Sequence, residues 1–105
     1  NTRGVVGGGW RANSAYTNVM QYVTIASTGN TTDFGDLTSI RWLLTSTANL
    51  TRGIFAGGTN DSGRTNVMDY ISIDSTGNAT DFGDLTSAKG SLFVGMVSSA
   101  HGGIA

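Results

Sequence analysis

The chain has 105 residues, of which 38% are hydrophobic and 12% are charged, and its formal net charge is -1. This length fits one small domain, and the Lys and Arg residues are scattered singly, so no basic stripe is available to neutralise a row of phosphates. The chain has no cysteine and one histidine, which excludes disulfides, thiol catalysis and the usual zinc-ligand sets.

Short strand-like segments follow one another along the chain. Val5-Val6 is an apolar run that ends at three glycines, and residues 19–25 are rich in the β-branched and aromatic side chains that strands prefer. Ser27-Thr28-Gly29-Asn30 is a turn cluster, and residues 33–37 predict a third short strand or turn. No apolar run approaches the roughly 18 residues that cross a membrane, so we expect no membrane segment.

The fold class is predicted to be all-β. Trp42-Leu43-Leu44 predicts a fourth strand, and Leu92-Phe93-Val94 predicts its counterpart in the second half of the chain. Apolar residues at helical spacing are absent, and the 16 glycines disfavour helices because each interior glycine costs about 1 kcal/mol. Both faces of the segment 19–25 carry apolar side chains, so both faces need to be covered.

The second half of the chain repeats the first. The segment TNVMQYVTIASTGNTTDFGDLTS at 17–39 returns as TNVMDYISIDSTGNATDFGDLTS at 65–87, with 18 of 23 positions identical. A second match joins RGVVGGG at 3–9 to RGIFAGG at 52–58. A recently duplicated unit of this kind normally buries its faces by stacking against neighbouring units.

We therefore treat residues 1–105 as a single segment with repeats at about 3–51 and 52–100 and a C-terminal overhang at 101–105. Four short strands in a unit of this size match one blade of a β-propeller. We predict two four-stranded blades per chain and a ring that is completed by homo-oligomerisation, as a trimer for six blades or a tetramer for eight. The overhang resembles another beginning of the unit, which leaves open a piece of a longer array or an overlap between neighbouring termini.

The repeat resembles the kelch repeat, whose pattern is a strand with a double glycine, a tyrosine, a second aromatic residue and a basic residue. The first unit has this pattern at Val5-Val6-Gly7-Gly8, Tyr22, Phe34 and Arg41. The second unit has it at Ile54-Phe55, Gly57-Gly58, Tyr70, Phe82 and Lys89. Phenylalanine stands where kelch usually has tryptophan. The regular sequence STGN-TDFGDLTS of the two repeats resembles propeller arrays in phage and marine metagenomic proteins. The resemblance implies the propeller fold and carries no catalytic residue across.

Two groups of residues have a chemical and a structural interpretation. Asp33 and Asp36, like Asp81 and Asp84, place carboxylates beside a glycine, as some calcium-binding turns do. We favour backbone capping in tight turns, because both repeats share the pattern. His101 has no nucleophile marked near it, so we predict no catalytic residue, no metal and no cofactor.

The repeats differ most between their first two strands, and binding residues are often found in loops on a rigid scaffold. The predicted ligand-binding residues are Trp10, Arg11, Tyr16, Asn60, Asp61 and Arg64. Aromatic residues and arginine dominate binding hot spots, which favours a platform for a sugar or a protein loop. The alternative interpretation is that Trp10 and Tyr16 pack between blades.

The sequence favours a non-enzymatic binding module that presents repeated loop sites to glycans or to a host-surface protein. The alternative is a purely structural or assembly element of a virion or repeat array, without a small ligand. An enzyme is disfavoured because no constellation of acid, base, metal ligand and nucleophile is visible. The expected partners are copies of the chain itself, and the expected location is extracellular or virion-associated.

Overall fold

The structure, a computed structural model, describes residues 3–10 and 16–89. Every regular element in these residues is a β-strand, and every strand pairing is antiparallel, so the all-β prediction is confirmed. These residues contain no helix with the length and hydrophobicity that crossing a membrane requires.

The strands form two sheets. The first has the order β1-β2-β3, with β1 at Arg3–Gly7, β2 at Val19–Thr24 and β3 at Thr32–Asp36. The second contains β4 at Thr45–Ala48, β5 at Arg52–Ala56, β6 at Thr59–Asn60, β7 at Gly63–Ser72 and β8 at Thr80–Lys89. The long strand β7 is central, because it pairs with β5 and β8, and its first two residues pair with β6.

The two repeats build the same ladder. The register of β1 on β2 recurs in β5 on β7, and the register of β2 on β3 recurs in β7 on β8. Both ladders shift at the equivalent position, after Met20 in β2 and after Met68 in β7. Equivalent residues therefore occupy equivalent places, and each sheet serves as an internal reference for the other.

A row of three side chains in contact crosses each sheet. In the first sheet the guanidinium of Arg3 lies 4.4 Å from the ring centroid of Tyr22, and the ring of Tyr22 meets that of Phe34 edge-on at 5.9 Å. In the second sheet the guanidinium of Arg52 lies 4.8 Å from the ring centroid of Tyr70, and the ring of Tyr70 meets that of Phe82 edge-on at 6.0 Å. The aromatic positions that carry the kelch resemblance thus act within each sheet, where they support its cross-strand packing.

The predicted position of the fourth strand is wrong. Residues 42–44 are not a strand, and β4 begins at Thr45 and pairs with β5 in the second sheet. Leu43 has a left-handed φ of 59°, which interrupts an extended strand at the point where the chain crosses between sheets. The counterpart at 92–94, His101 and the overhang at 101–105 lie outside the described residues.

The hydrophobic core lies between the two sheets. Its buried members come from both repeats and are Met20, Phe34, Leu37, Phe55, Ile71 and Ile73. The sheets approach closely at Gly7, where an added Cβ would lie 3.1 Å from the ring of Phe55. Each repeat therefore covers one apolar face of the other.

A buried ion pair joins the connection between β3 and β4 to β7. Nη2 of Arg41 lies 2.7 Å from Oδ2 of Asp69, and both side chains are fully buried. Nη1 of Arg41 also donates to the carbonyl oxygens of Gly57 at 2.8 Å and Val67 at 2.9 Å. Thr38 donates its backbone N–H and its hydroxyl to the carboxylate, at 3.1 and 2.6 Å. Burial lowers the pKa of the Arg41 guanidinium, and Asp69 opposes that shift.

We expect Asp69→Ala to lower the free energy of unfolding by about 3–5 kcal/mol, because it leaves the Arg41 charge buried without its partner. Replacing both partners, as Arg41→Met with Asp69→Leu, is expected to restore most of this loss. Urea unfolding measures both variants, with Arg64→Ala at an exposed site as the control. A loss in Asp69→Ala no larger than that of the control contradicts the central role of the pair.

Candidate functional site

The two described ends of the loop after β1, at residues 9–10 and 16–17, pair with each other. Gly8 and Gly9 have left-handed φ values of 70° and 114°, a conformation that turns the chain out of β1 and favours glycine. Trp10 and Tyr16 then form an antiparallel bridge, and the N–H of Thr17 donates to the carbonyl oxygen of Gly9 at 3.0 Å. The backbone of Trp10 is therefore fixed, although the residue is 66% exposed.

Trp42 connects this loop to the second repeat. Its indole stacks on the ring of Tyr16, with the ring centroids 3.6 Å apart and the planes 11° from parallel. Its backbone pairs with Thr59, and the two residues exchange N–H to carbonyl hydrogen bonds of 3.0 and 2.8 Å. The neighbouring Leu43 has the positive φ noted above, so the chain is turned sharply beside the stacked indole.

A tight hairpin between β6 and β7 continues from Thr59. Asn60 lies opposite Gly63 in the ladder, and the side-chain oxygen of Asn60 accepts a 2.9 Å hydrogen bond from the N–H of Ser62. Gly63 has a φ of 117°, which the turn requires. Asp61 and Arg64 are exposed, so the hairpin presents a carboxylate and a guanidinium to solvent.

The predicted ligand-binding residues in the described part of the chain follow one path. Trp10 pairs with Tyr16, Tyr16 stacks on Trp42, and Trp42 pairs with the first residue of the hairpin that carries Asn60, Asp61 and Arg64. Arg11 lies outside the described residues. Trp10 is exposed to solvent, as a binding residue would be. Tyr16 is half-buried and packs against Trp42.

The sequence interpretation missed Trp42 because the residue stands in an apolar run that resembles a strand. One signal could have singled it out: the second repeat has Gly90 at the equivalent position, so the indole belongs to the part of the chain where the repeats differ. We name the surface formed by Trp10, Tyr16, Trp42 and the β6–β7 hairpin the loop surface.

The loop surface contains an aromatic face, a side-chain amide and charges of both signs. Within residues 3–10 and 16–89, no group of three or more His, Cys, Asp or Glu is arranged to hold a metal ion. The predicted tight turns at residues 33–36 and 81–84 are wrong, because these residues lie in strands β3 and β8. The backbone N–H of Asp36 donates instead to the side-chain oxygen of Asn78 in the other repeat, at 3.0 Å. Comparison with known protein families and with curated proteins gives no match for this chain.

We expect the two tryptophans to differ in their accessibility to iodide. The chain has two tryptophans, so Trp42→Phe reports on exposed Trp10 alone and Trp10→Phe reports on stacked Trp42 alone. Stern–Volmer quenching should be stronger for Trp10, and adding Tyr16→Ala should raise the quenching of Trp42 by removing its stacking partner. Equal quenching of the two single-tryptophan variants contradicts the described geometry.

Proposed function

We propose that this protein is a non-enzymatic binding module and that the loop surface holds its ligand. The observation that carries this proposal is the exposed indole of Trp10 on a backbone fixed by the bridge to Tyr16. Large aromatic side chains lose little conformational entropy on binding, and in recognition surfaces they contribute much of the affinity.

The proposed ligand class is a glycan. A flat indole face offers apolar contact to the C–H face of a sugar ring, and the neighbouring hairpin offers groups that bind hydroxyls. These groups are the amide of Asn60, the carboxylate of Asp61 and the guanidinium of Arg64, which together include donors and acceptors. Both loops connect to Trp42, so the aromatic and polar parts share one support.

We propose further that each sheet is one blade of a kelch-like β-propeller and that identical chains complete the ring, as a trimer or a tetramer. The repeated register of the two ladders and the core between the two sheets support this architecture. A ring of identical chains would present several copies of the loop surface, and weak sites gain strength from multivalency.

A second function, an assembly element without a small ligand, is favoured by a different observation. Val6 in β1 and Ile25 directly after β2 are exposed in the first repeat, and Phe82 in β8 is exposed at a different face, in the second repeat. Exposed apolar faces are typical of surfaces that other protein covers. Saturable binding of a ligand separates the two functions.

We expect the chain to bind at least one member of a panel of immobilised oligosaccharides, and Trp10→Ala to weaken that binding by about tenfold or more. Asn60→Ala and Arg64→Ala are expected to weaken it too, through lost hydrogen bonds. Leu50→Ala is the matched control, because Leu50 is as exposed as Trp10 but lies outside the loop surface. Unchanged binding by Trp10→Ala, or no saturable binding to any oligosaccharide, overturns the glycan proposal.

We expect light scattering of the purified chain to give the mass of a trimer or a tetramer, because an open pair of sheets leaves apolar faces uncovered. The measurement is made across a range of concentrations so that dissociation is visible. A monomer at all concentrations contradicts ring completion by identical chains.

A further inference from the structure

We infer that a second copy of this chain docks head to tail: the turn at 27–31 of one copy binds the outer edge of β8 in the next. The contact between copies would repeat the contact that joins the two repeats within one chain. The inference rests on the proposed association of identical chains, but it does not depend on the ligand of the loop surface.

Within the chain, the turn of the second repeat binds the edge of β3. The N–H of Gly77 donates to the carbonyl oxygen of Phe34 at 2.7 Å, and the N–H of Ala79 donates to that of Asp36 at 2.8 Å. The backbone N–H of Asp36 in turn donates to the side-chain oxygen of Asn78 at 3.0 Å. The segment 77–79 thus satisfies three backbone groups at an edge that would otherwise be open.

The edge of β8 has the same strand register as the edge of β3, but within residues 3–10 and 16–89 no turn is hydrogen-bonded to it. Gly35 has a φ of 145°, and an added Cβ there would collide with the carbonyl oxygen of Gly77. The equivalent Gly83 has a φ of 147°, and the nearest atom to an added Cβ is in Met68, at 3.9 Å. The glycine conformation that admits a docked turn is therefore present in both strands, and in the described part of the chain a turn is docked at the one in β3 alone.

Side-chain burial shows the same difference at this face. Phe34 is 2% exposed, whereas its equivalent Phe82 is 47% exposed. Each phenylalanine meets the equivalent tyrosine edge-on within its own sheet, so the difference in exposure comes from the neighbouring repeat. Phe82 therefore marks an exposed apolar face of the second repeat, whereas the second repeat covers the equivalent face of the first repeat around Phe34.

The first repeat has the opposite uncovered face. Phe55 and Ile73 are 4% and 5% exposed in the second repeat, because they pack against the first repeat in the core. Their equivalents Val6 and Ile25 are 67% and 64% exposed. The chain therefore presents both halves of its own internal interface, one at each end, and these halves are complementary to each other.

The turn that would dock is already formed. The N–H of Ser27 donates to the carbonyl oxygen of Thr24 at 3.2 Å, and Ser75 makes the same 3.2 Å bond to Ser72 in the docked turn. Both turns carry the sequence STGN, and residues 26–31 are exposed. Docking would therefore need little reorganisation of the turn, which lowers the entropic cost of association.

The internal contact fixes which atoms would meet between copies. The N–H of Gly29 would donate to the carbonyl oxygen of Phe82, and the N–H of Thr31 would donate to that of Asp84. The side-chain oxygen of Asn30 would accept from the N–H of Asp84. Because the two surfaces differ, the contact is heterologous, and such a contact produces a closed ring or an open filament rather than a two-fold dimer.

One element of the internal interface is not repeated between copies. The position of buried Asp69, which accepts from Arg41 and Thr38, is occupied in the first repeat by Gln21, which is exposed and neutral. The junction between copies would lack this carboxylate. We therefore expect dilution to separate the copies while the two repeats within each chain stay together.

Cysteine cross-linking tests the arrangement, since the chain has no cysteine of its own. Asn30→Cys and Asp84→Cys are prepared as separate variants, mixed, and treated with a short bismaleimide. We expect a cross-linked dimer from the mixture and little from either variant alone. The matched control is Asp36→Cys with Asn78→Cys in one chain, which should cross-link within the monomer because these positions form the internal contact.

The outcomes separate the inference from the proposals above. A dimer that forms equally well from one variant alone indicates a two-fold contact and overturns the head-to-tail arrangement. A control that cross-links while the mixture does not also overturns it, even if light scattering finds an oligomer. If the chain is a monomer, this inference and the ring proposal both fail, while oligosaccharide binding by the same sample still tests the ligand proposal.

A second variant keeps the test independent of cysteine chemistry. Ile25→Ser should weaken association by about tenfold or more, because Ile25 would be buried between copies. Leu50→Ser is the control, since Leu50 is equally exposed but lies outside both docking faces. Equal association of the two variants overturns the inference, and matching thermal unfolding curves of the monomers establish that Ile25→Ser leaves the fold intact.

Discussion

The ion pair between Arg41 and Asp69 holds the two repeats in one arrangement. A charge removed from water costs several kcal/mol unless a partner and hydrogen bonds replace the solvent, so neither side chain tolerates a shift that breaks the pair. Because Arg41 belongs to the first repeat and Asp69 to β7, the pair fixes the connection between β3 and β4 against the second sheet. Trp42 follows Arg41 directly, so the buried charge also determines where the stacked indole lies.

The double glycines of the two repeats are explained by this same connection. An added Cβ at Gly8 would lie 2.7 Å from the carbonyl oxygen of Arg41, and one at Gly58 would lie 2.9 Å from that of Trp42. The connection therefore runs between two glycine turns, one from each repeat, and a larger residue at either turn would push it away. Left-handed φ values at both positions add a second reason for glycine.

Local patterns predicted the parts of the structure that local chemistry decides. The second strand was predicted at 19–25 and a third short strand or turn at 33–37, close to the observed β2 and β3, because β-branched residues and the STGN turn act over a few residues. Patterns that extend over a few residues could not place β4, because its partner strand β5 lies in the other repeat. They also could not distinguish Phe34 from Phe82, which have identical neighbours in sequence and differ only in what covers them. The loop surface was predicted in part, since loop differences pointed to Trp10 and the hairpin, while Trp42 was missed because it stands in an apolar run that resembles a strand.

The pairing of β4 with β5 means that the unit of sequence and the unit of folding are out of phase. Residues 45–89 contain an antiparallel sheet with β4, β5, β7 and β8, and this sheet spans the boundary between the two sequence copies. An ancestor with a single copy would have had to fold its β4 back onto its own β1 or lend that strand to another molecule. In the second case, gene duplication would have brought into one polypeptide an exchange of strands that was first made between separate chains.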